Sequence, residues 1–195
     1  MKPAGRGLAA RVVAVCGLAV LLFSVLCLPS FVIAAEADLA PLFQRVAAEV
    51  NLPLPLLRAI AHVESKGHPF ALNVGGKTLF FTGKDEAIAA TRRALAAGKG
   101  FDAGIMQINS QWLTRFHIPL DAVFDPEANI WLGGWILGQN LRQHGDLKTA
   151  VARYHSPNVT RGNRYVSQVK AALEEMGPAE TPPAMAAGFV RRYNR

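Results

Sequence analysis

Residues 59–65 read Ala-Ile-Ala-His-Val-Glu-Ser, and this stretch predicts the end of a helix. One face of that helix holds four residues spaced i, i+3, i+4 and i+7: Leu57, Ile60, Ala61 and Glu64. The face is apolar except for its last member. Burial and the C-terminal end of a helix both disfavour a negative charge, so we expect Glu64 to carry a proton near neutral pH, as a general acid requires. The alternative is a solvated glutamate at a fraying helix end, paired with Lys66.

The N-terminus has the layout of a secretory signal peptide. Three basic residues come first, an apolar run of 17 residues follows from Val12 to Leu28, and small residues come next. Ala35-Glu36-Ala37 fits a cleavage site, and residues 32–34 offer another. We therefore predict a signal peptide over residues 1–35 and an exported, periplasmic protein. The alternative is an uncleaved segment that anchors the protein in the membrane.

Charge and cysteine content narrow the classes of function. Both cysteines, Cys16 and Cys27, lie in the predicted leader, so the exported chain would have no disulfide framework, thiolate metal site or cysteine nucleophile. The net charge is +7, of which Lys2, Arg6 and Arg11 supply +3. The remaining positive charge favours approach to an anionic polymer. No run of basic residues interleaved with aromatics indicates nucleic acid.

The periodicity of the rest predicts a mainly α domain over residues 38–176 with one small β-hairpin. The hairpin is predicted over residues 71–81, with Gly75-Gly76 as its two-residue turn. Helix N-caps are predicted at Asp38, Asp125, Asp146 and Thr160. Residues 177–195 are rich in Ala and Pro and predict a flexible tail.

The absence of their motifs excludes several classes of enzyme chemistry, and glycoside cleavage is the leading candidate that remains. The chain has no H-E-x-x-H, no G-x-S-x-G and no phosphate-binding glycine loop, and His62-x-Glu64 lacks the P-C-x-x-C partner of the zinc deaminases. The sequence indicates no metal and no cofactor. Most glycosidases need a second carboxylate, for which Asp102 and Asp85 are candidates. In the alternative, substrate-assisted route, the N-acetyl group of the sugar replaces that carboxylate.

Four short motifs follow one another in a fixed order: Glu64-Ser65, Gly-Ile-Met-Gln-Ile-Asn over residues 104–109, Ala-Arg-Tyr-His over residues 152–155, and Tyr165. Together they resemble the ordered motifs of the soluble-lytic-transglycosylase (SLT) domain, which has a goose-type lysozyme-like fold. The chain is most similar to the small specialised transglycosylases that accompany conjugation, type IV pilus and secretion machines. The resemblance covers about residues 39–173.

The resemblance implies a peptidoglycan lytic transglycosylase with Glu64 as its single acid/base. Glu64 would protonate the oxygen between N-acetylmuramic acid and N-acetylglucosamine, then take the C6 hydroxyl proton, which gives a 1,6-anhydro product without water. The substrate-binding residues implied are Ser65, Met106, Gln107, Asn109, Tyr154 and Tyr165. The serine and the two amides would position the glycan or the acid, and the methionine would line the sugar site. The tyrosines would line the cleft, the second of them hydrogen-bonded to the acid; the alternative for both tyrosines and the methionine is a role in the core.

One motif departs from the family pattern. The usual Ala-Tyr-Asn-x-Gly appears as residues 153–157, Arg-Tyr-His-Ser-Pro, with His155 in place of Asn and Pro157 in place of Gly. These departures leave open a non-catalytic peptidoglycan-binding scaffold. A further alternative is a muramidase that hydrolyses the same bond and differs only in its product. The partners implied are peptidoglycan glycan strands and components of an envelope-spanning secretion or conjugation machine.

Overall fold

The computed structural model describes the backbone of residues 30–177 and the side chains from Leu39 onward. Most of the predicted signal peptide (residues 1–35) and nearly all of the predicted tail (177–195) lie outside these residues. Contacts within the chain separate the residues up to Asp38 from those that begin at Leu39, and the description below concerns the second unit. Within residues 30–177, no helix combines the length and the apolarity needed to cross a membrane.

Eight helices and four strands make up the described residues. The helices are α1 (Ser30–Glu49), α2 (Leu54–Ser65), α3 (Lys84–Ala96), α4 (Ser110–Phe116), α5 (Leu120–Val123), α6 (Pro126–His144), α7 (Leu147–His155) and α8 (Val159–Met176). The strands are β1 (Ala71–Val74), β2 (Lys77–Phe80), β3 (Phe101–Ala103) and β4 (Ile108–Asn109). The predicted mainly α class with a small β element is confirmed.

The helical core forms where α2, α6, α7 and α8 pack together. Leu56, Leu57 and Ile60 of α2 are fully buried, as are residues of the apolar stripes of α6 and α8. Burial of each such aliphatic side chain stabilises the fold by roughly 1.5–3 kcal/mol. Because α2 lies in this core, the position of Glu64 in its last turn is rigidly defined.

The sheet is antiparallel throughout, with strand order β2-β1-β3-β4. The predicted hairpin is confirmed: Val74 pairs with Lys77, and Gly75 and Gly76 have φ of 61° and 83°, values that glycine adopts without strain. The sheet is larger than predicted, because β3 and β4 extend it beyond β1. Their register places Asp102 directly opposite Asn109.

Two of the predicted helix caps are confirmed and two are wrong. Asp125 and Asp146 accept hydrogen bonds from backbone N–H groups three residues later, at 2.9 Å and 2.8 Å. Asp38 does not begin its helix, because the backbone of α1 is already helical from Ser30. In α8 the cap is Asn158 and not Thr160, since the Asn158 side chain reaches the N–H of Arg161 at 3.0 Å and starts the helix earlier.

Candidate active site

Glu64 lies in the last turn of α2, and this helix end is capped. Lys66 adopts a left-handed conformation (φ 58°), its N–H binds the carbonyl of His62 at 2.9 Å, and the next N–H binds the carbonyl of Ala61 at 3.2 Å. Such a closed end argues against the fraying alternative. The pKa of Glu64 is raised from 4.5 to about 7, chiefly because burial disfavours the charged form; the Tyr165 hydroxyl lowers the pKa in part, and the charge of Asp102 raises it further. Glu64 can therefore both donate and accept a proton near neutral pH.

Asp102 is the second carboxyl group near Glu64. The Asn109 side chain donates a hydrogen bond to Asp102 Oδ1 at 2.7 Å, and its own Oδ1 accepts from the N–H of Gln111 as the cap of α4. Burial raises the pKa of Asp102, while Asn109 and the charge of a nearby histidine lower it. Of the two candidates, Asp102 is thus the one whose charge raises the pKa of Glu64, whereas Asp85 lies exposed in the first turn of α3.

Two side chains that the family resemblance implied for substrate binding, Ser65 and Gln107, hold the segment 104–109 in place against α2 and β1. The buried Ser65 hydroxyl lies 2.8 Å from the carbonyl oxygen of Ile105. Gln107 has a left-handed backbone (φ 48°), and its Nε2 donates to the carbonyls of Ala71 and Gly104 at 3.2 Å and 2.8 Å. These groups fix the backbone beside Glu64, which favours positioning of the acid over direct contact with the glycan.

Tyr154 and Met106 meet on the inner side of the site. The Tyr154 hydroxyl donates to the carbonyl of Met106 at 2.8 Å, and burial together with the charges of Glu64 and Asp102 raises the pKa of Tyr154 well above its usual value. The hydroxyl therefore keeps its proton. The Met106 side chain is fully buried and packs against Gly133, where an added Cβ would lie 2.7 Å from it. It fills the core between the segment and α6, which favours the alternative predicted for Met106, a role in the core.

Tyr165 and His155 form a stacked pair beside Glu64. Their ring centroids are 4.5 Å apart and their planes differ by 4°. Tyr165 is buried and its hydroxyl acts on Glu64, whose pKa it lowers, whereas His155 ends α7 and is exposed. His155, which departs from the family pattern, thus stacks on Tyr165, and Tyr165 in turn acts on Glu64. The cluster of acid, second carboxyl, tyrosine and imidazole can support proton transfer to and from a bound sugar.

The family model of the Transglycosylase SLT domain matches residues 41–174. This chain belongs to that family. The matched range contains every residue of the cluster described above. The family and the lysozyme-like fold class predicted from the motifs are therefore confirmed.

Relatives of this SLT-domain protein include several named virB1. Protein virB1 of Rhizobium radiobacter is 30% identical over 138 residues, which cover 65% of this chain and 58% of that protein. Type IV secretion system protein virB1 of Brucella abortus biovar 1 is 29% identical over 154 residues, which cover 70% and 63%. The chain thus spans about three fifths of the length of these relatives. No solved structure matches the chain.

Asn129 of α6 is a residue of this SLT domain that the sequence reasoning missed. Its side chain accepts from the N–H of Met106 at 2.7 Å and donates to the carbonyls of Ala103 and Val123 at 3.1 Å and 2.7 Å. It holds the segment 104–109 from α6, whereas Ser65 holds it from α2. A signal was available, because Asn129 is a polar residue at helical spacing from the buried Gly133 and Leu137.

Proposed function

We propose that this protein is an exported lytic transglycosylase that cleaves the β-1,4 bond between N-acetylmuramic acid and N-acetylglucosamine in peptidoglycan. The observation that carries the proposal is the environment of Glu64: a half-buried residue at a capped helix end, whose desolvated carboxyl has a pKa of about 7 under the influence of the Tyr165 hydroxyl and Asp102. Membership of the SLT family supports the substrate class. A carboxyl with this pKa can serve as acid in one step and base in the next.

In the first step, neutral Glu64 donates its proton to the glycosidic oxygen, and the bond from that oxygen to C1 of the muramic acid breaks. The electron pair leaves with the oxygen, so positive charge develops at C1. The acetamido oxygen of the same sugar can bond to C1 and share this charge, as in substrate-assisted glycosidases. The negative charge of Asp102 stabilises the same centre through space.

In the second step, the Glu64 carboxylate takes the proton of the C6 hydroxyl while O6 bonds to C1. The acetamido oxygen is released, the 1,6-anhydro ring closes, and Glu64 is again neutral. No water is consumed. The hydrogen bond from Tyr165 stabilises the carboxylate that exists between the two steps, because a charged acceptor binds a hydroxyl more strongly than a neutral one does.

The remaining predicted residues act mainly on geometry in this proposal. Ser65 and Gln107 are positioning residues, since their hydrogen bonds join the end of α2, the sheet and the segment 104–109. Asn109 orients Asp102, and Tyr154 fixes the backbone of that segment. The accurate placement of Glu64 against a bound sugar depends on them, because small displacements of a catalytic group slow a reaction strongly.

A type IV secretion system is the apparatus that we propose this enzyme serves. Relatives from Brucella carry that system in their names, and all the relatives cited are virB1 proteins. The predicted signal peptide would deliver the chain to the periplasm, where the peptidoglycan lies. Local opening of the wall would then make room for the assembling apparatus, whose components are the expected protein partners.

A hydrolysing muramidase is the second candidate, and Asp102 favours it. A second carboxyl near the acid is what most glycosidases use to activate water or to form a covalent intermediate. Mass spectrometry of the products from purified peptidoglycan decides between the two. Products with the anhydro ring support the transglycosylase, and reducing-end products, one water heavier, support the muramidase. Binding to wall sacculi without any product would support the non-catalytic scaffold and contradict both.

A further inference from the structure

The stacked pair of His155 and Tyr165 follows from how α7 and α8 pack. Gly162 lies so close to α7 that an added Cβ would be 3.0 Å from the Cβ of Ala152. His155 lies one turn after Ala152 and Tyr165 one turn after Gly162, so both rings lie within one helical turn of this close contact. The result is the parallel stack at 4.5 Å.

The turn between the two helices is held by its own hydrogen bonds. Ser156 Oγ accepts from the N–H of Asn158 at 3.2 Å, and Arg153 donates to the carbonyl of Pro157 at 2.5 Å. His155 therefore sits at the end of a helix whose exit is fixed on both sides. The backbone that carries His155 is thus fixed, and its exposed ring stacks on Tyr165.

We propose that His155 is a positioning residue: its imidazole supports one face of the Tyr165 ring and thereby holds the Tyr165 hydroxyl on the Glu64 carboxyl. The charged groups that act on His155 are Asp102 of β3 and Arg161 in the first turn of α8. They oppose one another, and the partial burial of the ring lowers the pKa of His155 below 6.5, although the residue as a whole is exposed, so the ring is neutral at pH 7. The support is thus a contact between two uncharged rings at neutral pH. Its consequence for catalysis rests on the proposed function, but the contact does not.

Two substitutions at His155 distinguish a role of its ring from a role of its charge. His155→Phe keeps a flat ring that cannot titrate, and His155→Ala removes the support. Without the support, the hydrogen bond from Tyr165 weakens, and because that bond lowers the pKa of Glu64, this pKa rises. Tyr165→Phe removes the bond itself and gives the limiting shift, roughly half a pH unit or more for a hydrogen bond of ordinary strength.

The experiment is a pH titration of the Glu64 side-chain carboxyl by carbon-13 NMR, with the resonance assigned by its loss in Glu64→Gln. The wild type should titrate at about pH 7. We expect a higher midpoint for His155→Ala and for Tyr165→Phe, an unchanged midpoint for His155→Phe, and no further change when His155→Ala is added to Tyr165→Phe. His144→Ala, at the end of α6, is the matched control and should titrate like the wild type.

Three results would overturn the proposal. An unchanged midpoint in His155→Ala would mean that the stack holds nothing. A lower midpoint would mean that His155 acts by excluding water, since added hydration favours the carboxylate. A further shift in the double variant would mean that His155 acts on Glu64 by a route other than Tyr165. The titration needs no turnover, so failure of the proposed activity would show in the wild-type products and leave this result readable.

Turnover provides the second readout. If the transglycosylase proposal holds, His155→Ala lowers kcat several-fold and leaves KM within about twofold, because the Tyr165 contact matters most when Glu64 is charged between the steps. His155→Phe restores the wild-type kcat. A change confined to KM in both variants would instead make His155 a substrate contact.

Discussion

The Ser65 hydroxyl donates a hydrogen bond to the carbonyl oxygen of Ile105 at 2.8 Å, across 40 residues of sequence. The same hydroxyl lies 3.2 Å from the carbonyl of Ala61, one turn back in α2. Ser65 is buried, so water does not compete for either contact. The residue next to Glu64 therefore locks the end of α2 to the segment that carries the family motif.

Ser65→Ala should lower both stability and turnover. The change leaves a buried carbonyl without its partner, which costs roughly 1–3 kcal/mol in the free energy of unfolding. Denaturant unfolding measures that loss, and initial rates of product release measure kcat. Ser167→Ala is the control, because the Ser167 hydroxyl makes a similar bond to a carbonyl one turn back but is exposed. Equal stability of the two variants would contradict the role of Ser65.

Asn129→Ala should be more damaging than Ser65→Ala. It removes one acceptor and one donor group that serve three backbone partners, all of them buried. We expect a loss of roughly 2–4 kcal/mol in the free energy of unfolding. Asn129→Asp keeps the acceptor for the Met106 N–H but cannot donate, so urea unfolding should place it near the alanine variant. A stability close to wild type in either variant would show that the segment 104–109 is held by other contacts.

Gly104→Ala tests the close approach between this segment and α6. A Cβ at Gly104 would lie 2.1 Å from Asn129 Nδ2 and 2.6 Å from the carbonyl of Val123, at a φ of +81°. Gly98→Ala is matched in backbone conformation (φ +66°), but nothing lies within 4 Å of its added Cβ. The control should lose only the left-handed strain, about 1–2 kcal/mol. Thermal unfolding should show a clearly larger loss for Gly104→Ala; equal losses would mean that the segment can move aside.

The raised pKa of Glu64 makes stability depend on pH. Its folded pKa of about 7 lies above the ordinary 4.5, so between these values the folded state binds more protons than the unfolded state. The contribution of neutral Glu64 is therefore fully present below pH 4.5 and is lost as the pH rises through 7, in total roughly 3 kcal/mol. Glu64→Gln should be more stable than wild type at pH 8 and equal to it at pH 4. Parallel denaturant curves at several pH values check this, and a constant difference would contradict it.

The features predictable from the sequence were those with a local signal. The end of α2, the Gly75-Gly76 turn and the Asp125 cap each have a periodicity or a short motif. The strands β3 and β4 were missed because three and two residues are too few for an alternating pattern. The start of α1 was misplaced because a capping residue also occurs inside helices.

The site was predictable in its membership but not in its contacts. The family resemblance, which rests on the order of the motifs along the chain, predicted that Glu64 and the segment 104–109 belong to one site. Two contacts depend on how the helices α6, α7 and α8 approach one another. Met106 is buried in the core, and His155, which departs from the family pattern, stacks on Tyr165. Small residues such as Gly133 and Gly162 set those distances, and a glycine in a sequence does not say which partner it admits.

The most direct test of the central claim is the amount of 1,6-anhydro muropeptide that Glu64→Gln releases from purified peptidoglycan, measured by mass spectrometry beside the wild type. Glu49→Gln, an exposed substitution at the end of α1, is the matched control. If Glu64 is the single acid and base, the control releases anhydro products at the wild-type rate, while the folded Glu64→Gln protein releases fewer by at least about a hundredfold. Anhydro products from folded Glu64→Gln at more than a small fraction of the wild-type rate would contradict the assignment.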